Sequence, residues 1–345
     1  MSSDVFHAAQ AQVLKWLSPH LSDPQYLYHH HQHERTSYPT TPLLIGISGP
    51  QGSGKTTLAT RLAESLATGP TKLSVVTLSI DDFYLTKAEQ DELARVESGN
   101  PLLEFRGNPG THDLGLAMRT LDELNAAHMR ARTDDDCKGK SKEVSCTDQA
   151  GHIDSASTSV LIPRYDKGLH NGRGDRAPRC EWTLAIAPFH IIILEGWCVG
   201  FRPVTAERLQ RLLTHPTPSD INPALRAAIN STRTHAHPLS HLSRLNESLA
   251  LYLPLWHRFN GLIHLHTTGL QNVYAWRKQQ EQSLRANSGR GLTDEQVDDF
   301  VDRFMPGYLI GLDSLLCAEE AGTAGPVLRL VVGPQRELLQ IDFET

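Results

Sequence analysis

The chain has 345 residues, a formal net charge of −6 and 39% hydrophobic residues. This length allows one large or two modest domains with a sizeable core, and the acidic excess argues against a protein that binds nucleic acid through bulk positive charge. No stretch approaches the roughly 18 apolar residues that a membrane-spanning helix needs. The five cysteines form no CxxC pair, which argues against a zinc knuckle or a disulfide framework.

The first forty residues carry no pattern typical of a secretory signal or a transit peptide, so we expect a cytoplasmic protein, with the nucleus as the alternative. Helical spacing predicts one amphipathic helix from Val5 to Leu17, and the His-rich stretch Tyr28–His33 follows it. Clustered imidazoles can bind a metal, but no carboxylate or cysteine at ligand spacing supports a defined site. We therefore predict a helix and a His-rich linker over residues 1–40, and one domain over residues 41–345.

From Pro42 onward the sequence alternates between apolar, strand-like runs and segments with helical spacing. The predicted strands are 43–48, 73–78, 189–194, 261–265, about 327–332 and about 337–342. The predicted helices are about 55–66, 87–96, 114–132, 269–287, 293–304 and 306–319. This alternation predicts an α/β fold with a doubly wound, mostly parallel sheet.

Two stretches interrupt the alternation and are predicted to be irregular insertions within the domain. Residues 133–158 are charged and rich in serine and glycine, without periodicity. Residues 214–242 contain four prolines and several histidines. Neither stretch marks a domain boundary in this interpretation.

The strongest motif is Gly49-Pro-Gln-Gly-Ser-Gly-Lys-Thr56, which matches G-x-x-x-x-G-K-[ST] and lies between a predicted strand and a predicted helix. In such a loop the glycines let backbone N–H groups point at phosphate oxygens. Lys55 can reach the β- and γ-phosphates, and the Thr56 hydroxyl can bind Mg²⁺. The sequence contains no Asn-Lys-x-Asp for guanine, which favours ATP. The residues predicted to bind the nucleotide are Gly49, Pro50, Gln51, Gly52, Ser53, Gly54, Lys55, Thr56 and Thr57.

Two further predicted strands end in acidic residues: Asp81 and Asp82 follow strand 73–78, and Glu195 follows strand 189–194. Open α/β sheets bind ligands at the carboxyl ends of their strands. A kinase that acts on a hydroxyl needs a carboxylate there to accept the proton and help hold the metal. The alternative for the two aspartates is a helix N-cap, and for Glu195 a plain acid at a strand end.

Together with the phosphate loop, further segments resemble the P-loop type of D-glycerate 3-kinase, within the wider group of uridine kinase, phosphoribulokinase and bacterial pantothenate kinase. These segments are Ser79–Tyr84, Gly107–Asp113, Pro163–Lys167, Gly174–Arg176, Leu194–Cys198, Tyr274–Arg277, Glu281, Leu284, Arg285 and Phe300–Pro306. The resemblance covers about residues 43–342 and lapses over both insertions. It implies a P-loop NTPase-type fold with a helical lid, and ATP and Mg²⁺ as cofactors.

The resemblance also implies roles for individual residues. Asp81 would be the catalytic base, assisted by Lys55 and Glu195, and the metal would lie near Thr56, Glu195 and Asp81. A glycerate carboxylate needs a cation, ideally an arginine, and Arg164 and Arg179 are alternatives to the cations of the predicted set. The predicted acceptor-binding residues are Asp82, Tyr84, Asp113, Tyr165, Lys167, Arg173 and Arg176. The alternative for Asp82 is that it supports the residues that contact the acceptor without touching the acceptor itself, or that it caps a helix.

The helix predicted from about Gln271 contains Arg277, Lys278 and Arg285. Related kinases close such a helix over the phosphates, and Arg277 is the predicted contact to ATP; a solvated helix face is the alternative. Three further residues have helical spacing that predicts core packing and not an adenine platform: Phe300, Phe304 and Tyr308.

The sequence thus predicts an ATP-dependent kinase whose partner is a small-molecule acceptor, most simply D-glycerate converted to 3-phosphoglycerate, without nucleic acid or membrane. One alternative is a kinase of the same fold that acts on a nucleoside, pantothenate or another sugar acid. Several cations and a single tyrosine between Pro163 and Arg176 favour a small anion over a nucleoside. The other alternative is a non-catalytic ATP-binding regulatory or assembly protein, which would not need Asp81. The sequence predicts no oligomeric state.

Overall fold

The computed structural model describes His7 and residues 41–68, 72–138, 158–214, 237–288, 291–316 and 326–344. The predicted Val5–Leu17 helix (His7 apart), the His-rich stretch and most of both predicted insertions lie outside these residues. Within the described part of the chain, no helix is both long enough and apolar enough to cross a membrane.

The described residues form ten strands and nine α-helices. The strands are β1 (Leu43–Ser48), β2 (Val75–Ser79), β3 (Ser159–Ile162), β4 (Tyr165–Asp166), β5 (Asp175–Arg176), β6 (Thr183–Ile186), β7 (Ile191–Gly196), β8 (Gly261–Thr267), β9 (Val327–Val332) and β10 (Leu338–Glu344). The helices are α1 (Lys55–Thr68), α2 (Lys87–Val96), α3 (Leu114–Lys138), α4 (Ala206–Thr214), α5 (Leu239–Ala250), α6 (Leu253–Trp256), α7 (Gln271–Ser288), α8 (Asp294–Asp302) and α9 (Met305–Leu316).

Six strands form the central sheet in the order β10-β9-β8-β1-β7-β2, and only β10 among them runs antiparallel to its neighbour. Every residue of β1, β7 and β8 is buried, as expected of parallel strands that are covered on both faces. The predicted doubly wound, mostly parallel sheet is confirmed. This order places the carboxyl ends of β1, β7 and β2 side by side.

Apolar side chains cover both faces of the sheet. On one face Leu58 and Leu62 of α1 pack with Ile45 and Ile47 of β1. On the other face a larger cluster joins the sheet to α3, α5, α7 and α9 and includes the fully buried Trp256. Strong burial on both sides fixes the sheet, so its carboxyl edge is a rigid platform for a site.

In the structure, helices extend into one end of each stretch that was predicted to be irregular. Helix α3 continues to Lys138, because residues 133–138 contain no glycine or proline that would end it. Helix α5 begins at Leu239, directly after Pro238, and so includes the end of the stretch predicted as irregular. Two short antiparallel ribbons, β3 with β6 and β4 with β5, were not predicted from the sequence.

Candidate active site

The segment Gly49–Thr56 joins β1 to α1 and has the strand–loop–helix context of a phosphate-binding loop. Gly52 and Gly54 adopt φ values of +77° and +100°, a region that strains residues with a side chain. A Cβ atom on Gly52 would lie 2.6 Å from the Cβ atom of Trp276 in α7. Both the backbone conformation and the close approach of α7 therefore require glycine at this position.

Lys55 is buried at the start of α1, and its Nζ atom donates to the carbonyl of Pro50 at 3.0 Å. Burial lowers the pKa of this lysine, while the nearby carboxylates of Glu195 and Asp81 act in the opposite direction. The ammonium group thus lies within electrostatic reach of the loop and of both predicted catalytic acids.

Thr56 and Glu195 form a direct contact between α1 and β7, with the threonine Oγ1 donating to Glu195 Oε1 at 3.0 Å. Two adjacent protein oxygens suit Mg²⁺, which keeps several waters and takes its other ligands from phosphates. In the part of the chain that the structure describes, no three His, Cys, Asp or Glu side chains gather into a metal site. The donor set therefore fits a metal that is shared with a phosphorylated ligand.

Asp81 lies in the 3₁₀ turn Ile80–Phe83, directly after β2. Its Oδ1 accepts from the Tyr84 hydroxyl at 3.0 Å, and its Oδ2 accepts from Lys167 Nζ at 2.5 Å. Burial favours the neutral acid, but the Lys167 ammonium and the Tyr84 hydrogen bond act in the opposite direction, and the net effect holds the pKa of Asp81 below its ordinary value. Asp81 is therefore an oriented, ionised carboxylate beside the phosphate loop.

Asp82 faces a different group of residues from its neighbour Asp81. Its Oδ1 accepts from the Tyr165 backbone N–H at 3.1 Å, and its Oδ2 accepts from Arg164 Nη1 at 3.1 Å. Burial raises the pKa of this carboxyl group despite the nearby guanidinium. Asp82 thus anchors the β4–β5 ribbon to the end of β2, and its acceptor-binding role remains a prediction.

The β4–β5 ribbon brings only some of the predicted cations to Asp81. Lys167 contacts Asp81 directly, and Arg176 Nη2 donates to the Tyr84 carbonyl at 3.2 Å and to Asp113 Oδ2 at 3.1 Å. The residues Arg164–Gly168, with Ala177 and Glu181, line an open depression of about 450 Å³.

The other two arginines considered from the sequence contact different groups. Arg173 lies over the Phe105 ring at 4.7 Å and near Asp91, and Arg179 lies over the Trp182 ring at 6.0 Å. The structure therefore places Lys167 at Asp81 and Arg176 at the Tyr84 carbonyl, whereas the contacts of Arg173 are with other residues.

His112 lies in the acceptor region but was not predicted from the sequence. Its ring stacks on Tyr84 at 4.5 Å, and its Nδ1 lies 2.6 Å from the Tyr252 hydroxyl. The family-like segment Gly107–Asp113 contains this histidine directly before Asp113. That position in the segment was the available signal.

The cations of the predicted lid helix are all paired with acids of α7 or α8. Arg277 donates to Glu281 at 2.8 Å and lies 5.2 Å from the Phe300 ring. Lys278 pairs with Asp298 at 2.8 Å, and Arg285 pairs with Asp294 at 2.9 Å. These contacts tie α7 to α8.

Phe304 and Tyr308 are buried, as predicted for core residues. Tyr308 also contacts the phosphate loop, since its hydroxyl accepts from the Gln51 N–H at 2.8 Å.

Arg336, in the turn between β9 and β10, also contacts the loop and was not predicted. Its Nε donates to the Gly52 carbonyl at 2.6 Å, and its guanidinium lies 5.3 Å from the Trp276 ring. The indole of Trp276 in turn donates to the Pro334 carbonyl at 2.7 Å. The phosphate loop, α7 and the C-terminal hairpin are thereby linked through one arginine and one tryptophan.

Comparison with known proteins agrees with the geometry of this site. No family model matches the chain. It is 37% identical over 275 residues to the uncharacterized kinase mug58 of Schizosaccharomyces pombe, covering 79% of this chain and 82% of that one. It is 32% identical over 283 residues to the chloroplastic D-glycerate 3-kinase of Arabidopsis thaliana, covering 82% of this chain and about half of the relative. The solved structure of a D-glycerate 3-kinase from Cryptococcus neoformans superposes with a TM-score of 0.74, at 29% identity and 99% coverage of both chains.

Proposed function

The chain belongs to the family of D-glycerate 3-kinase and related ATP-dependent kinases, and on that premise we propose that its acceptor is D-glycerate. In this reaction the γ-phosphoryl group of ATP passes to the 3-hydroxyl, which loses its proton, and the products are 3-phosphoglycerate and ADP. The observation that carries the proposal is Asp81, an ionised carboxylate held by Tyr84 and Lys167 directly after β2 and within electrostatic reach of Lys55.

On the nucleotide side, the loop amides and Lys55 bind the phosphates, and burial keeps water away from the ammonium group. Thr56 and Glu195 would hold Mg²⁺, which when bound neutralises negative charge on the transferred phosphoryl group. Arg277, which lies within electrostatic reach of Tyr308, would add positive charge from α7.

On the acceptor side, Asp81 accepts the proton of the attacking hydroxyl. Lys167 and Arg176 bind the glycerate carboxylate, since both lie beside Asp81 or Tyr84 on the β4–β5 ribbon. When Lys167 pairs with that carboxylate, its hold on Asp81 weakens and the pKa of Asp81 rises, which makes the aspartate a better proton acceptor. Substrate binding thereby prepares the base.

A coupled ADP-release assay with ATP and Mg²⁺ tests this function over a panel of D-glycerate, L-glycerate, uridine, pantothenate and ribulose 5-phosphate. We expect release that depends on D-glycerate and a product phosphorylated at the 3-hydroxyl. Release driven by another acceptor, or nucleotide binding without acceptor-dependent release, would overturn the proposal. The cytoplasm is the proposed compartment, with the nucleus as the alternative, and imaging of the tagged full chain tests this.

A further inference from the structure

His112 is held by hydrogen bonding and stacking on several sides. The Tyr252 hydroxyl lies 2.6 Å from its Nδ1, and the same hydroxyl oxygen accepts from the Gly110 N–H at 3.0 Å. Tyr84 stacks on the imidazole at 4.5 Å, with 21° between the rings. Only 6% of the residue is exposed, so the ring has little freedom to rotate.

The hydrogen bonds around Tyr252 favour one of the two neutral tautomers of the imidazole. Tyr252 has one hydroxyl hydrogen, and its oxygen already accepts from Gly110, so the hydrogen is available for His112 Nδ1. The proton of the neutral imidazole then resides on Nε2. Burial lowers the pKa of His112 to about 4, and the ring is therefore neutral near pH 7.

The Nε2–H group has no hydrogen-bond partner among the described residues, although it is buried. Buried polar groups are nearly always paired in folded proteins, and leaving a donor unpaired is costly. His112 lies within electrostatic reach of both Asp81 and Lys167, the pair that faces the acceptor in the proposed reaction. An oxygen that enters the site with the acceptor is a natural partner for this donor.

We infer that His112 Nε2–H donates a hydrogen bond to the hydroxyl of the acceptor acid that is not phosphorylated, and so selects vicinal dihydroxy acids over monohydroxy acids. The inference rests on the proposed function. A neutral donor suits a hydroxyl oxygen, since the cations Lys167 and Arg176 are better matched to the carboxylate. Tyr252 is the positioning residue that keeps the proton on Nε2.

The test is a cycle of two variants and two acceptors. His112→Gln keeps an N–H donor near the Nε2 position, whereas His112→Asn keeps only a group near Nδ1 that can still accept from Tyr252. The acceptors are D-glycerate and 3-hydroxypropanoate, which lacks the 2-hydroxyl. In the wild-type chain we expect kcat/KM for 3-hydroxypropanoate to be lower by about 10-fold or more, because the buried donor is left unpaired.

In the Asn variant we expect the KM for D-glycerate to rise by about 10-fold. The KM for ATP and the kcat/KM for 3-hydroxypropanoate should equal those of the wild type. The Gln variant should regain most of the preference for D-glycerate. Equal losses for both acceptors, or losses that follow a lowered melting temperature, would mean a structural role and overturn the inference. If the wild-type chain does not phosphorylate D-glycerate, the proposed function and this inference are both overturned. If it does, but the His112 variants change the two acceptors equally, only the inference is overturned.

Discussion

The two halves of the proposed active site are built in different ways. The nucleotide side consists of the loop Gly49–Thr56 and Glu195, and most of its donors are backbone groups from one continuous stretch. The acceptor side consists of side chains from separate segments: Asp81, Tyr84, His112, Lys167 and Arg176. The parallel sheet sets the first half directly, since β1 and β7 are neighbours. The second half depends on ion pairs and stacking between segments that are distant in the sequence.

The two halves also differ in solvent exposure, since the charged side chains on the nucleotide side are more buried than those on the acceptor side. Lys55 and Glu195 are 9% and 8% exposed, whereas the side chains of Lys167 and Asp81 are 55% and 28% exposed. Charges in the buried half act in a low effective dielectric and do not need to move. An ion pair that is partly exposed contributes little to stability, so a substrate can exchange it at small cost. In the proposed reaction, fixed charges therefore bind the phosphates, and charges that can exchange partners bind the acceptor.

The largest effect should come from Asp81→Asn, because it removes the proton acceptor but keeps an oxygen for the Tyr84 hydroxyl. We expect kcat to fall by about 10²–10⁴-fold, with ATP affinity retained. The measurement is ADP release at saturating acceptor, together with ATP binding by calorimetry. Asp82→Asn is the control, since Asp82 contacts Arg164 and Tyr165; it should lower the melting temperature more than kcat. Unchanged turnover in Asp81→Asn would contradict its role as the base.

On the nucleotide side, Gly52→Ala should weaken ATP binding by about 10-fold or more. The substitution adds about 1–2 kcal/mol of backbone strain at φ +77° and forces Trp276 away from the loop. Gly99→Ala is a matched control, because Gly99 has φ +91° but no neighbour within 4 Å of an added Cβ. Both variants lose stability through the backbone, and only Gly52→Ala should lose ATP affinity. Equal affinities in the two variants would show that the contact with α7 does not shape the loop.

The nucleotide side could be predicted from the sequence because its signals are local. A glycine motif between an apolar strand and a periodic helix indicates both the fold and the position of Lys55. Because the carboxyl ends of parallel strands lie at one edge of the sheet, acids that follow such strands are expected near the same site. Strands β1 and β7 are buried on both faces, and their continuous apolar runs made them predictable from the sequence. These inferences need only neighbours in the chain and the general topology of such sheets.

The acceptor side was harder to predict because its contacts join distant segments. The β4 and β5 strands have two residues each, which is too short for an alternating pattern. Arg173 and Arg176 lie three residues apart, yet only Arg176 reaches Tyr84 and Asp113. Arg336 contacts Gly52 across 284 residues, and no local pattern could indicate that contact.

Lys167→Met tests whether the acceptor side controls the ionisation of Asp81. Lys167 holds the pKa of Asp81 below its ordinary value, so activity that needs the carboxylate is present above that pKa and is lost as the pH falls through it. Without the lysine, burial dominates and the pKa rises. We therefore expect the acidic limb of kcat/KM to move to higher pH. Lys87→Met, which removes an exposed pair with Asp91, should leave the limb in place. A limb that stays in place in both variants, or moves down in Lys167→Met, would contradict the assignment.

The smallest effect should come from Arg336→Gln, which tests whether the nucleotide side depends on anything beyond its own segment. Arg336 donates to the Gly52 carbonyl and lies over Trp276, so its loss should loosen the loop and raise the Kd for ATP by about 3- to 10-fold. Arg336→Lys should rescue little, because an ammonium group cannot reproduce the planar fork and the stacking together. The KM for the acceptor should not change in either variant.

Arg95→Gln is the matched control for that measurement, since Arg95 forms an exposed pair with Glu92 on α2 and touches neither half of the site. It should leave the Kd for ATP and the KM for the acceptor unchanged. If Arg336→Gln instead raised the KM for the acceptor as much as the Kd for ATP, the hairpin would act on both halves of the site. The division between a fixed nucleotide side and an exchangeable acceptor side would then be wrong. If only the Kd for ATP changes, α7 and the hairpin stabilise the phosphate loop without reaching the acceptor.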